Sequence, residues 1–149
     1  MPSLISQYTL SLEQAKTLIA LATEKARELG VCGAIAVVDN GGHLICLERL
    51  DGTMTAASSI AIGKASTAMA FKRPGIVLEQ TVTADRPAMQ TLTCVTPAPF
   101  VPLKGSYPIQ IDNTMVGAIG VAGALTGQND ETIACFAVEK FGLYSAELS

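Results

Sequence analysis

Apolar positions along the chain recur with two periods, and the switches between them mark the predicted elements. From Ser11 to Leu29 the apolar residues Leu12, Ala15, Ile19, Ala22, Ala26 and Leu29 advance in alternating steps of three and four, the spacing of one helical face. Ser11 and Gln14 form a capping-box pattern at its start, and Gly30 stands where a C-terminal cap belongs. Glu13, Lys16, Glu24, Lys25, Arg27 and Glu28 fall away from the seam and read as its solvated face.

The pattern then changes. Ala34 to Val38 is aliphatic on both alternating faces, so a strand here needs cover from both sides. Asn40, Gly41 and Gly42 tolerate the positive φ of a tight reversal into Leu44, Ile45, Cys46 and Leu47, which predicts a β-hairpin from Gly33 to Asp51. Met54 to Phe71 reads as a helix of small residues whose only charge between Thr55 and Phe71 is Lys64. One short sheet cannot enclose every side of such a helix, so part of it is expected to pack against another subunit. Lys72, Arg73 and Pro74 end it.

Gly75 to Gly105 is the least regular stretch, broken by Pro87, Pro97, Pro99 and Pro102. A helical turn or two over Pro87 to Leu92 and a short strand over Thr91 to Val95 are its candidate elements, and the segment is expected to rim a pocket. Ile109 to Val121 predicts a second hairpin around Asp112 and Asn113. Gly117, Gly120 and Gly123 do not follow the dinucleotide-binding pattern and mark close backbone approach. Asn129 or Asp130 is expected to cap a last helix, Glu131 to Phe141, ended by Gly142.

Composition changes this picture in one respect. Only 15% of the 149 residues are charged and 49% are hydrophobic, where soluble domains average about 25% charged. One domain spanning residues 1–149 with apolar surface hidden between subunits fits this balance. A net charge of −3 and a pI near 5.0 argue against nucleic-acid binding. Met1 to Tyr8 lacks a secretory pattern and no stretch is apolar enough to span a membrane, so a cytoplasmic protein is expected. Cys32, Cys46, Cys94 and Cys135 form no C-x-x-C pair and are expected to be small buried hydrophobes.

The order of pieces carries a resemblance. A capped helix ending in Glu28-Leu29-Gly30 precedes Ala36-Val37-Val38-Asp39-Asn40-Gly41-Gly42-His43-Leu44 and Glu48-Arg49-Leu50-Asp51-Gly52-Thr53. Lys64-Ala65-Ser66-Thr67-Ala68 and Val116-Gly117-Ala118-Ile119-Gly120-Val121-Ala122-Gly123 follow, ahead of Asp130. Together, from about Leu10 to Phe141, these resemble the GlcG/HbpS-like family of haem-binding or haem-degrading proteins, which includes the C-terminal domain of PduO-type adenosyltransferases. The resemblance implies a three-layer α/β/α domain with a mainly antiparallel five-stranded sheet, assembled into homo-oligomers such as octamers. It implies haem or another tetrapyrrole as ligand for some members. Relatives typically carry Gly-Gly before the third-strand proline, where this chain has Gly105, Ser106, Tyr107 and Pro108. At least one haem-binding relative places its iron ligand on the first helix, where this chain has no histidine.

The candidate ligand-binding residues are Lys64, Arg49, Asp39, His43, Tyr107 and Asp130. His43 is the chain's one histidine and the candidate iron ligand. Tyr107, Cys46, Cys94, Met54 and Met69 are chemically possible ligands that packing accounts for equally. A lone ammonium among small apolar residues must find a carboxylate or a ligand anion, so Lys64 pairs either with Asp39, Glu48 or Asp130, or with Arg49 in holding an anion. Three readings follow: a binding protein for haem, another tetrapyrrole or a small carboxylated metabolite; an enzyme acting on a small carbonyl or carboxylate compound through Lys64 and Arg49; and an accessory protein to a catabolic enzyme. No Ser-His-Asp order, metal-ligand spacing or phosphate loop stands in the chain.

Overall fold

The computed structural model describes residues 3–148. Strands β1 (Ala34–Asp39), β2 (Leu44–Arg49), β3 (Ser106–Ile111) and β4 (Thr114–Ala122) form one sheet in the order β2-β1-β4-β3, with every neighbouring pair antiparallel. Helices α1 (Leu12–Leu29) and α4 (Gly127–Leu148) cover one face of the sheet, and α2 (Ala57–Phe71) covers the other.

Alternation along the two central strands sets these layers. Ile35 and Val37 of β1, with Ile119 and Val121 of β4, meet Leu18, Ile19, Ile133 and Phe141 of α1 and α4. Their alternates are small: Ala34, Ala36 and Ala122 pack on Ala57 and Ala61, and Val38 and Ala118 on Ala65 and Ala68. The large face therefore builds the main core, and the small face lets α2 come close. A methyl on Gly120 would collide with the Ala61 carbonyl and stand 2.7 Å from the Ala65 nitrogen. This is the close approach expected of the strand glycines.

Among the described residues the sheet has four strands, not five. The two predicted hairpins supply all four, and the Thr91–Val95 candidate instead ends a 3₁₀ stretch, Pro87–Cys94, in which no residue is buried. Prolines on either side of that stretch withhold ladder donors. The same segment contains α3 (Gly75–Gln80), which runs into a π-helical turn at Thr81–Asp85. Neither was predicted, because six residues are too few to show a helical period.

The first helix matches its prediction. Ser11 Oγ accepts from the Gln14 nitrogen at 3.1 Å, Gln14 answers the Ser11 nitrogen at 2.9 Å, and Gly30 is left-handed with φ 71°. Only its ends differ, since Leu12 and Leu29 are exposed. The last helix starts earlier and runs longer than expected. Thr126 Oγ1 accepts from the Asn129 nitrogen at 3.1 Å and takes the capping role, so Asn129 and Asp130 lie inside the first turn and Gly142 inside the helix.

The small-residue helix starts at Ala57 and is buried from Gly63 to Met69, where this chain itself supplies part of its outer wall. Gly63 packs on Val101. Thr67 Oγ1 accepts from the Val101 nitrogen at 2.9 Å and donates to the Pro99 carbonyl at 3.3 Å. The irregular segment thus covers α2 at Gly63 and Thr67, and Ile60 and Ile62 remain half-buried on the part left for a second subunit.

Candidate functional site

Burial dictates where the charge of α2 goes. Lys64 is 3% exposed, and its ammonium donates to Asp130 Oδ2 at 3.1 Å and to the Val121 carbonyl at 2.8 Å. Asp130, also buried, accepts from the Ala124 nitrogen through Oδ1 at 3.0 Å. Two of three ammonium donors and both carboxylate oxygens are therefore satisfied, the condition under which a buried pair persists. Gly105, at φ 106°, lies against the pair; a methyl there would stand 2.8 Å from Asp130 Cβ and 3.0 Å from Lys64 Nζ.

A second acid, not singled out from the sequence, stands next to the first. Glu131 is buried; Oε1 accepts from the Gly105 nitrogen at 2.9 Å and Oε2 accepts from the Tyr107 hydroxyl. Burial, then the Glu131 carboxylate, pushes the Tyr107 phenol well above its ordinary value. Burial followed by the Glu139 carboxylate raises the Cys135 thiol. The sole signal for Glu131 was its adjacency to Asp130 in a chain with few charges. Of the expected ligand-binding set, Lys64, Asp130 and Tyr107 are thus joined through Gly105 and Glu131.

Asp39 and His43 meet at the other end of β1. Asp39 Oδ1 accepts from the nitrogens of Gly41 at 2.9 Å and His43 at 3.0 Å, an Asx-type turn that fixes the hairpin end. The exposed His43 then borders a groove of 180 Å³ between this turn, α2 and the Thr96–Pro99 segment. Ala70, Phe71, Pro97, Ala98 and Pro99 give it apolar walls. The expected pocket rim in the irregular segment is therefore present. A separate cleft of 380 Å³ opens over Asp130, between Cys32, Met54 and Leu125.

The structure leaves the remaining candidates elsewhere. Arg49 is exposed at the end of β2, and neither of these clefts is lined by it. Among the described residues it forms no ion pair with Asp39 or Asp51. Met69 is buried and Met54 exposed. The cysteines depart from expectation: Cys94 is exposed, and Cys32, Cys46 and Cys135 are half-buried. Among the described residues no group of three His, Cys, Asp or Glu side chains is placed to hold a metal ion. None of their helices is long and apolar enough to cross a membrane.

A sheet covered by helices on both faces, with a histidine at the lip of an apolar groove, defines a small α/β domain with open surface clefts. The chain belongs to the HbpS-like family: the family model for haem-degrading protein HbpS-like matches residues 10–139. It is 36% identical over 113 residues to protein GlcG of Escherichia coli K12, a match covering 76% of this chain and 81% of that one. Streptomyces reticuli HbpS, in the crystal structure of a double mutant, superposes with a TM-score of 0.83 at 30% identity, covering 93% of this chain and 91% of that one. The crystal structure of a PduOC:haem complex matches with a TM-score of 0.77 at 26% identity, covering 88% and 94%.

Proposed function

We propose that this protein binds haem or a related tetrapyrrole, as a cytoplasmic homo-oligomer with the octamer as its expected form, and that the groove beside His43 receives the macrocycle. The observation that carries the reading is the position of the chain's one imidazole at the lip of an apolar groove. Membership of the HbpS-like family and likeness to the PduOC:haem complex support it.

The residue types present suit the group, and the 180 Å³ groove, below the about 300 Å³ at which cofactor pockets begin, would take one edge of the macrocycle. His43 offers an imidazole nitrogen of the kind that ligates haem iron. Phe71 and the prolines offer flat apolar surface, the common lining of cofactor sites. The Arg73 guanidinium donates to the Phe71 carbonyl at 3.3 Å, which keeps a positive charge beside the groove for a ring carboxylate. Bound haem would supply an iron centre in a ring whose apolar face the groove shields on one side. Small carboxylated metabolites and enzymatic use of Lys64 have weaker support, because the ammonium is already engaged by Asp130 and Val121 and Arg49 lines neither cleft.

Titration with hemin tests the reading. The wild type is expected to shift the Soret band in a saturable way, and His43→Ala to lose the shift due to iron coordination. No shift with the wild type, or an identical one with His43→Ala, would overturn the sited proposal.

A further inference from the structure

The turn that carries His43 has two adjacent glycines, and only one of them is explained by its backbone. Gly42 is left-handed at φ 82°, a conformation that L side chains rarely adopt. Gly41 is not left-handed, so its backbone accepts any residue. Its lack of a side chain matters for a different reason. A methyl on Gly41 would stand 3.1 Å from Cδ2 and 3.3 Å from Nε2 of the His43 ring, and 3.4 Å from Asp39 Oδ1. The first distance is shorter than the roughly 3.5–4.0 Å of an ordinary carbon–carbon contact.

We infer that Gly41 is a positioning residue for His43: by having no side chain it lets the imidazole lie across the turn at the groove's lip and leaves the space beside Nε2 open to a ligand. This deepens the proposed function and rests on it for the identity of that ligand, an iron porphyrin.

The backbone here cannot yield in place of the ring. Asp39 Oδ1 holds the nitrogens of both Gly41 and His43. The Asp39 nitrogen donates to the His43 carbonyl at 2.8 Å, and the Gly42 nitrogen to the Asp39 carbonyl at 3.0 Å. Ser66 Oγ ties the Gly42 carbonyl to α2 at 2.8 Å. Against these restraints, the free part is the exposed imidazole, which turns about its own side-chain bonds. A methyl at position 41 therefore moves the ring rather than the turn, and it also occupies the space next to Nε2.

Gly41→Ala tests this with two readouts. The first needs no haem. In the ligand-free wild type, whose single histidine makes its ring protons simple to assign, a nuclear Overhauser effect is expected between the imidazole Hδ2 and the Gly41 α-protons. Gly41→Ala should shift the imidazole resonances while leaving the thermal unfolding midpoint close to that of the wild type. The second readout is ligand binding. Gly41→Ala should weaken hemin binding roughly tenfold, the low end of the usual effect of disturbing what orients a metal ligand, and move the Soret band toward that of His43→Ala. Metal-free protoporphyrin IX, which has no iron to ligate, should lose less affinity than hemin does between the two proteins. Absence of the Overhauser contact, unchanged imidazole resonances in Gly41→Ala, or wild-type hemin affinity in that variant would each overturn the positioning role. Failure of the wild type to bind hemin while the ring contact is present would overturn the haem reading and leave the positioning intact.

Discussion

At the scale of single residues, the decisive feature is a charge pair at the junction of α2, β4 and α4. Removing one member of a buried pair strands the other and costs about 3–5 kcal/mol, a large share of the roughly 5–15 kcal/mol that hold a domain together. Lys64→Met and Asp130→Asn are each expected to be strongly destabilising in urea denaturation. The double variant should be less unstable than the sum of the two by roughly 0.5–3 kcal/mol, since the side-chain amide introduced at position 130 would still accept from the Ala124 nitrogen and no charge would be left alone. Strict additivity would show that the two groups are not coupled. Half of this pair was legible in the sequence, because Lys64 is the one charge in a run of small residues. Its partner was not, because Asp39, Glu48 and Asp130 were equally available until the fold brought α4 against the end of β4. Glu131 was hidden further: its partners are the nitrogen of Gly105 and the hydroxyl of Tyr107, and a backbone donor leaves no trace in a sequence.

At the scale of elements, the sheet is divided into a large-residue face and a small-residue face, and α2 can exist only against the second. Gly120 marks the closest contact. Gly120→Ala adds a methyl against the backbone of Ala61 and Ala65, which cannot rotate out of the way, so it should lower stability by about 1–3 kcal/mol. Gly142→Ala is the opposite case, since its methyl meets nothing within 4 Å on an exposed turn of α4. There the change should raise stability by about 0.5–1 kcal/mol. Equal effects in chemical denaturation would refute the close approach at Gly120. Period and capping made α1 and both hairpins readable, since each advertises itself over many residues. The helical turns expected over Pro87 to Leu92 are present as the 3₁₀ stretch, but the elements between Gly75 and Asp85 were not readable, because they are too short to show a local period. The start of α4 was misplaced for a related reason: Asn129 and Asp130 are good caps by type, but their side chains reach back to the Ala124 peptide and Thr126 caps instead.

At the scale of the whole molecule, surface area argues for self-association alongside the partly open face of α2. Pro99 and Val101 of its own chain cover helix α2 at Gly63 and Thr67, while Ile60 and Ile62 stay half-buried and open to a partner. The protomer exposes 8318 Å², where a monomeric protein of 15.5 kDa exposes about 7,200 Å². Part of the surface carries large apolar side chains: Ile76 is 38% exposed, Val77 44% and Leu103 42%, on two segments that meet where Gly75 packs on the Leu103 backbone. With only 15% charged residues to keep such a surface in water, a second copy is the occupant that the composition favours. Sedimentation velocity at micromolar concentration should therefore show a species several times heavier than 15.5 kDa. Val77→Lys combined with Leu103→Lys, which places like charges on that patch without touching the core, should shift the distribution toward the protomer. A wild type that sediments as a single 15.5 kDa species would remove self-association from the proposed function, while the His43 groove, built within one chain, would still be open to its own test.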